Sequence, residues 1–212
     1  MQDLITSLYN YADRHSGFDD ALLNELERAT HLRTLAPRML SGRIQGVFLQ
    51  LISILTKPRA ILEIGTFTGY SALCLARGLE KGGQLITLEV NPEHALIASE
   101  FFARSGHAKE IQLCVGDAKA IIPTLPQEWD LVFIDADKEA YGSYYDLVID
   151  RCKPGSLILV DNVLWSGKVV EAKMDTKTRS LHEFNLKVSS DDRVENLLLP
   201  LRDGIQIIRK IS

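Results

Sequence analysis

Residues 60–71, Ala60-Ile61-Leu62-Glu63-Ile64-Gly65-Thr66-Phe67-Thr68-Gly69-Tyr70-Ser71, constrain the fold more than any other stretch. An apolar run carrying one acid stops at Gly65, Gly69 follows, and Ser71-Ala72-Leu73-Cys74-Leu75-Ala76 is rich in helix formers. This reads as a buried parallel strand, a tight turn, and a helix whose N-terminus faces the turn. Glycine at 65 lets the chain leave the strand at a φ that a side chain resists, and lets a ligand approach the backbone. The unpaired N–H groups of the helix start favour a negatively charged ligand group. The spacing Gly65-x-x-x-Gly69 departs from G-x-G-x-x-G, because Thr66 and Phe67 stand where that pattern needs x-Gly. An ordinary strand-to-helix turn is the competing reading of the stretch taken alone.

The chain around it has two rhythms. In residues 1–57, Leu4, Leu8 and Tyr11 recur at helical spacing, as do Leu22, Leu23, Leu26 and Ala29. Asp19 or Asp20 could cap the second of these helices. Pro37 breaks the pattern, and Ser41-Gly42 restarts it through Val47, Phe48, Leu51, Ile52 and Leu55. Over 58–212 short apolar runs alternate with helical stretches. Beyond the first strand they predict strands over 85–90, 111–115, 130–134 and 157–160, with helices from Pro92 to about Ser105, from Asp117 to about Pro123, and up to Cys152. Lys153-Pro154-Gly155 reads as a turn, 166–180 as a mobile polar loop, and 181–188 as a helix. Residues 194–199 and 205–208 have no helix between them and read as a hairpin, which makes one strand near the C-terminus antiparallel. The pattern therefore predicts an α/β fold in one domain over 1–212. Its core is a doubly wound, seven-stranded, mostly parallel sheet with helices on both faces, and residues 1–57 add N-terminal helices.

Composition narrows the function. With 46% hydrophobic and 25% charged residues this is a globular composition. A net charge of −4 without a basic stripe gives no reason to expect nucleic acid. No apolar run is seen that approaches a membrane span of about 20 residues, and no signal peptide is evident. Cys74, Cys114 and Cys152 lie far apart, as free thiols of a cytoplasmic protein would. His31, His94, His107 and His182 show no metal-ligand spacing.

In such sheets ligands bind at the carboxyl ends of the strands, where strand order reverses. Those ends are acidic: Glu63, Glu89, Asp117, Asp135, and Asp161-Asn162. Glu89, some twenty residues past the glycine turn, is placed to accept both hydroxyls of a nucleotide ribose, or else is a solvated strand end. Asp135, Asp161 and Asn162 offer two carboxylates and an amide carbonyl, hard donors suited to Mg²⁺, Mn²⁺ or Ca²⁺. The alternative is a turn at Asp161-Asn162 and a helix cap at Asp135. Lys138, three residues after Asp135, shares its face if a helix starts there. It is then a candidate proton acceptor, or a surface lysine paired with Asp137 or Glu139.

Three co-linear motifs add a resemblance. Residues 62–71, Phe133-Ile134-Asp135-Ala136-Asp137-Lys138, and Asp161-Asn162-Val163-Leu164-Trp165-Ser166-Gly167 resemble the metal-dependent small-molecule O-methyltransferases, of caffeoyl-CoA and catechol type. Met39-Leu40-Ser41-Gly42, Gln45-Gly46 with Phe48-Leu49, and Arg202-Asp203-Gly204 extend the likeness over nearly the whole chain. The resemblance implies a Rossmann-like fold using S-adenosyl-L-methionine (AdoMet). Glu63, Gly65, Thr66 and Ser71 would bind its methionine end, with Asp137 near the amine and Ser41 a further contact, although plant relatives carry threonine at that position. Glu89 would hold the ribose, and Asp117-Ala118 would border the adenine. Asp135, Asp161 and Asn162 would bind the divalent metal, with Lys138 as general base. It implies a small ortho-dihydroxy aromatic acceptor and a homodimer. An NAD-dependent oxidoreductase is the first rival, disfavoured by the glycine spacing. A non-catalytic AdoMet- or metal-binding protein is the second, disfavoured by the joint presence of Asp135, Lys138, Asp161 and Asn162.

Overall fold

The computed structural model describes residues 2–17, 20–126 and 128–212. Its strands are β1 (Ala60–Ile64), β2 (Gln84–Glu89), β3 (Ile111–Val115), β4 (Trp129–Ile134), β5 (Cys152–Asp161), β6 (Val194–Leu199) and β7 (Ile205–Lys210). They form one sheet in the order β3-β2-β1-β4-β5-β7-β6. β1 pairs in parallel with both β2 and β4, so strand order reverses at β1. β7 runs antiparallel to both β5 and β6, giving the single antiparallel strand that the helix-free 194–208 region predicts.

The helices are α1 (Gln2–Arg14), α2 (Ala21–Arg33), α3 (Gly42–Thr56), α4 (Tyr70–Ala76), α5 (Pro92–Arg104), α6 (Ala118–Ile121), α7 (Tyr141–Ile149) and α8 (Thr176–Ser189). Side chains alternate across each strand, so each face of the sheet builds its own core. Leu62, Ile64, Val132 and Ile134 pack with Tyr141, Tyr145 and Phe184 on one face. Ile61, Leu131, Phe133 and Leu159 pack with Leu26, Leu49, Leu75 and Phe102 on the other. Burial on both faces explains why the central strands read as nearly continuous apolar runs.

Four local expectations need revision or lie elsewhere. α8 begins at Thr176, well before residue 181, because Asp175 caps it by accepting from the Thr178 N–H at 2.8 Å. The segment expected as a loop over 166–180 is largely regular: Trp165–Val170 forms 3₁₀ turns kinked at Ser166 and Gly167, and α8 follows. Lys153-Pro154-Gly155 lies inside β5. Trp129 pairs with Cys152 and Leu131 with Leu157, so the ladder closes on either side of the excursion. Asp20 caps α2 through the Leu23 N–H, whereas Asp19 lies outside the described residues.

Residues Pro37–Thr56 do match a membrane span in length and composition, contrary to the sequence reading. The stretch is divided at Ser41. α3 itself is 15 residues, about 22 Å, short of the roughly 30 Å hydrocarbon core. It buries Gln45, Gln50 and Ser53. All three cysteines are free thiols.

Candidate active site

The ends of β1 and β4 touch. A Cβ on Gly65 would sit 2.0 Å from the Asp135 carbonyl oxygen, and Gly65 has φ +98°, so no other residue fits there without moving a strand. Two cavities open on either side of this contact. The first, of about 450 Å³, includes Ser41, Gly65, Thr66, Ser71, Asp135, Asp137, Lys138, Asp161 and Asn162 in its wall. The second, of about 420 Å³, is bordered by Gly65, Glu89, Asp117, Ala118, Asp135 and Asp137. Met39, Gly65, Phe67, Asp135, Ala136 and Asp137 line both.

In the second cavity Glu89 is buried and holds the turn. Its Oε2 accepts from the Phe67 N–H at 2.7 Å and its Oε1 from the Asn91 N–H at 2.9 Å. Each oxygen keeps a lone pair for a further donor. Asp117 caps α6 through the Lys119 N–H. Ala118 is buried beside it.

Glu63 lies behind the wall and borders neither cavity. Thr87 donates to its Oε2 at 2.5 Å and in turn accepts from Thr66, also at 2.5 Å, so a hydroxyl relay runs from the first cavity to this acid. Its Oε1 is buried without a hydrogen-bond partner. Burial raises the Glu63 carboxyl to about 8, against the pull of the Ser71 and Thr87 hydroxyls. Thr66 and Ser71 border the first cavity, and Glu63 stands behind them.

Asp135, Asp161, Asn162 and Lys138 come together in the wall of the first cavity. Lys138 donates to Asp135 Oδ1 and to the Tyr141 hydroxyl, both at 2.6 Å. That hydroxyl donates to the Asp161 carbonyl at 2.9 Å. Asp137 caps the Lys138–Ala140 turn through the Glu139 N–H instead of pairing with Lys138. Burial, then the nearby Asp135 carboxylate, pushes Asp161 up to about 6, while Gln45 and the Asn162 N–H pull it back. Among the described residues no cluster of three or more His, Cys, Asp or Glu side chains is of metal-binding type. The donor set here is two acids and an amide.

Sequence reasoning gave no role to several contributors. Gln45 and Tyr141 are fully buried polar side chains, and a glutamine in an apolar helical run was the signal available for the first. His94, in the wall of the second cavity, stacks edge-on against Phe67 at 4.7 Å. Phe67, Asn162, Trp165, Ser166 and Arg202 all have left-handed backbones without being glycine. Such conformations cost of order 1–3 kcal/mol each and gather at functional sites.

A doubly wound sheet with both cavities at its reversal point is a ligand-binding enzyme architecture. The O-methyltransferase family model matches residues 13–211, and the chain belongs to that family. It is 37% identical over 191 residues to a catechol O-methyltransferase of Niastella koreensis, covering 86% of this chain and 84% of that one. It is 32% identical to caffeoyl-CoA O-methyltransferase 5 of Nicotiana tabacum, over 82% of this chain and 78% of that one. Among solved structures, an O-methyltransferase from Bacillus cereus in complex with SAH superposes with a TM-score of 0.92 at 29% identity, covering 99% of this chain and 100% of that one. One from Streptomyces achromogenes, involved in tomaymycin synthesis and in complex with SAM, gives 0.91 at 29% identity, over 97% and 96%.

Proposed function

We propose that the chain transfers the methyl group of AdoMet to a hydroxyl of a small ortho-dihydroxy aromatic, assisted by a divalent cation. The observation that carries this reading is the shared wall. Six residues line both cavities, so a donor held by Glu89, Asp117 and Ala118 meets an acceptor held near Lys138, Asp161 and Asn162. The family match and the AdoMet- or SAH-bound neighbours support the methyl donor.

The residues fit both groups. Glu89 keeps two lone pairs beside a cavity of nucleoside size, and Gly65 lets the ends of β1 and β4 meet in the wall that the two cavities share. Asp135, Asp161 and Asn162 are hard oxygen donors on one wall, and crowding of the two acids is a cost that a cation relieves. When bound, AdoMet supplies an activated methyl on a sulfonium, and a divalent cation supplies charge that favours a phenolate. Lys138 would take the proton of the reacting hydroxyl. Since it donates to Asp135 and Tyr141 as an ammonium, it must first release one of its own protons to solvent, which is favoured if Asp135 turns to another positive partner. Tyr141 fixes the amine in the wall of the cavity, which Trp165 also lines.

The test is a methyl-transfer assay on a catechol panel in EDTA, then with Mg²⁺ or Mn²⁺ restored. Loss and recovery of turnover is the expected outcome, and full activity in chelator would remove the cation from the reading. The exposed apolar residues Leu4, Leu8, Leu32 and Leu35 on the N-terminal helices and the segment after them support a homodimer. Light scattering that finds only a monomer would refute it.

A further inference from the structure

Gln45 has no solvent exposure and borders neither cavity. Its amide joins two groups that are remote in sequence. Nε2 donates to Asp161 Oδ2 at 2.7 Å, and Oε1 accepts from Arg202 Nη1 at 2.7 Å. Arg202, in the turn between β6 and β7 with φ +52°, also donates to the Ser41 carbonyl. An arginine has no acceptor, so the glutamine oxygen must face it, and the NH₂ must then face the acid. Asp161 Oδ1 accepts the Asn162 N–H at 2.8 Å, so each oxygen of this carboxylate has a fixed donor. Its plane is set from behind, and the remaining lone pairs are left to the cavity.

We infer that Gln45, oriented by Arg202, is a positioning residue that presents the Asp161 carboxylate to a divalent cation. The inference rests on the cation reading proposed above. Groups that hold a ligating carboxylate in this manner typically change metal affinity by about 10–100-fold when removed. Gln45 touches neither the acceptor nor the methyl donor in this scheme, whereas Arg202 also borders the first cavity, so the Gln45→Leu result is the primary one. Their effect passes through Asp161.

The experiment titrates Mn²⁺ into the wild-type chain, Gln45→Leu, Arg202→Leu and the double variant, following free Mn²⁺ by electron paramagnetic resonance. AdoMet affinity and thermal midpoint are recorded for Gln45→Leu on the same samples. Gln45→Leu should weaken Mn²⁺ binding about 10–100-fold, keep AdoMet affinity, and recover turnover at saturating Mn²⁺. Arg202→Leu should weaken Mn²⁺ by a smaller factor and add nothing in the Gln45→Leu background, because its influence runs through the amide. Unchanged Mn²⁺ affinity in folded Gln45→Leu, or single effects that simply add, overturns the inference. If Gln45→Leu does not fold, Arg202→Leu decides alone, and wild-type affinity there overturns it. A wild-type chain that takes up no Mn²⁺ removes the cation reading itself. Binding by wild type with indifferent variants removes only the role of Gln45.

Discussion

The two halves of the site are built in different ways. The half around Glu89, Asp117 and Gly65 is held within one strand–helix–strand unit, by the Asn91 and Phe67 N–H groups on Glu89, with the Thr66–Thr87–Glu63 relay beside it, and none of these bonds spans more than 24 residues. The half around Asp161 and Lys138 adds, to its local bonds, contacts between far more remote segments. Gln45 reaches Asp161 across 116 residues, and Arg202 reaches Ser41 across 161. Left-handed non-glycine residues are gathered unevenly: Phe67 stands in the wall shared by both cavities, whereas Asn162, Trp165, Ser166 and Arg202 all lie around the Asp161 half. A half that the strand–turn–helix supplies locally needs little strain. One gathered from distant loops is held in unfavourable backbone conformations by its tertiary bonds.

That contrast can be broken by substitution. The largest effect is expected for Asp161→Ala, which removes a proposed cation ligand and leaves the Gln45 amide without its acceptor. Turnover should collapse and be partly restored by excess Mg²⁺, while AdoMet affinity measured by calorimetry holds. A matching loss of AdoMet affinity would show that the halves are not separable. Lys138→Ala should spare both ligands yet slow methyl transfer by about 10²–10⁴-fold. A pH–rate profile should recover part of that loss as the acceptor ionises in solution. Wild-type turnover at neutral pH would leave Lys138 a structural ion pair with Asp135 and nothing more.

Glu89→Ala attacks the other half. Unpaired ribose hydroxyls cost about 1–3 kcal/mol each if buried, so AdoMet affinity should fall at least about tenfold with Mn²⁺ binding unchanged. The idea fails if calorimetry finds wild-type AdoMet affinity. The smallest effect concerns stability. Glu63 sits at about 8 in the folded chain against an ordinary 4.5. The native state keeps a proton that the unfolded state releases, so the stability linked to this group is intact below about 4.5 and lost as pH rises through 8. The thermal midpoint of ligand-free protein should drop over that window. Each tenfold difference in proton affinity between the folded and unfolded chain is worth about 1.4 kcal/mol. Asp161 acts with the same sign over a narrower range. Glu63→Gln should flatten the slope relative to wild type, and parallel slopes would assign it to other groups.

The sequence made the Glu89 half readable because its determinants are adjacent: β1, the Gly65 turn and the acid ending β2 need only the periodicity of one strand–helix–strand unit. The acids at the ends of β4 and β5 were visible for the same reason. Gln45 and Tyr141 were not, since a buried polar residue announces itself only when its partner is known, and those partners lie on other elements. The start of α8 escaped because Asp175 caps it inside a charged run in which Thr178, Leu181, Phe184 and Val188 supply only one buried side chain per turn. Lys153-Pro154-Gly155 has turn chemistry, and the paired segments on either side decide that β5 continues through it.

The position of β7 bears on how the protein is made. This strand is the latest of the seven to leave the ribosome, yet it lies between β5 and β6 and pairs with both. Until residues 205–210 emerge, β5 and β6 each present an unpaired edge, and the turn carrying Arg202 has no frame to hold it against Asp161's neighbours. A nascent chain can therefore pair β1 to β4 early, while the turn that brings Arg202 to Gln45 is framed only after synthesis has passed Lys210.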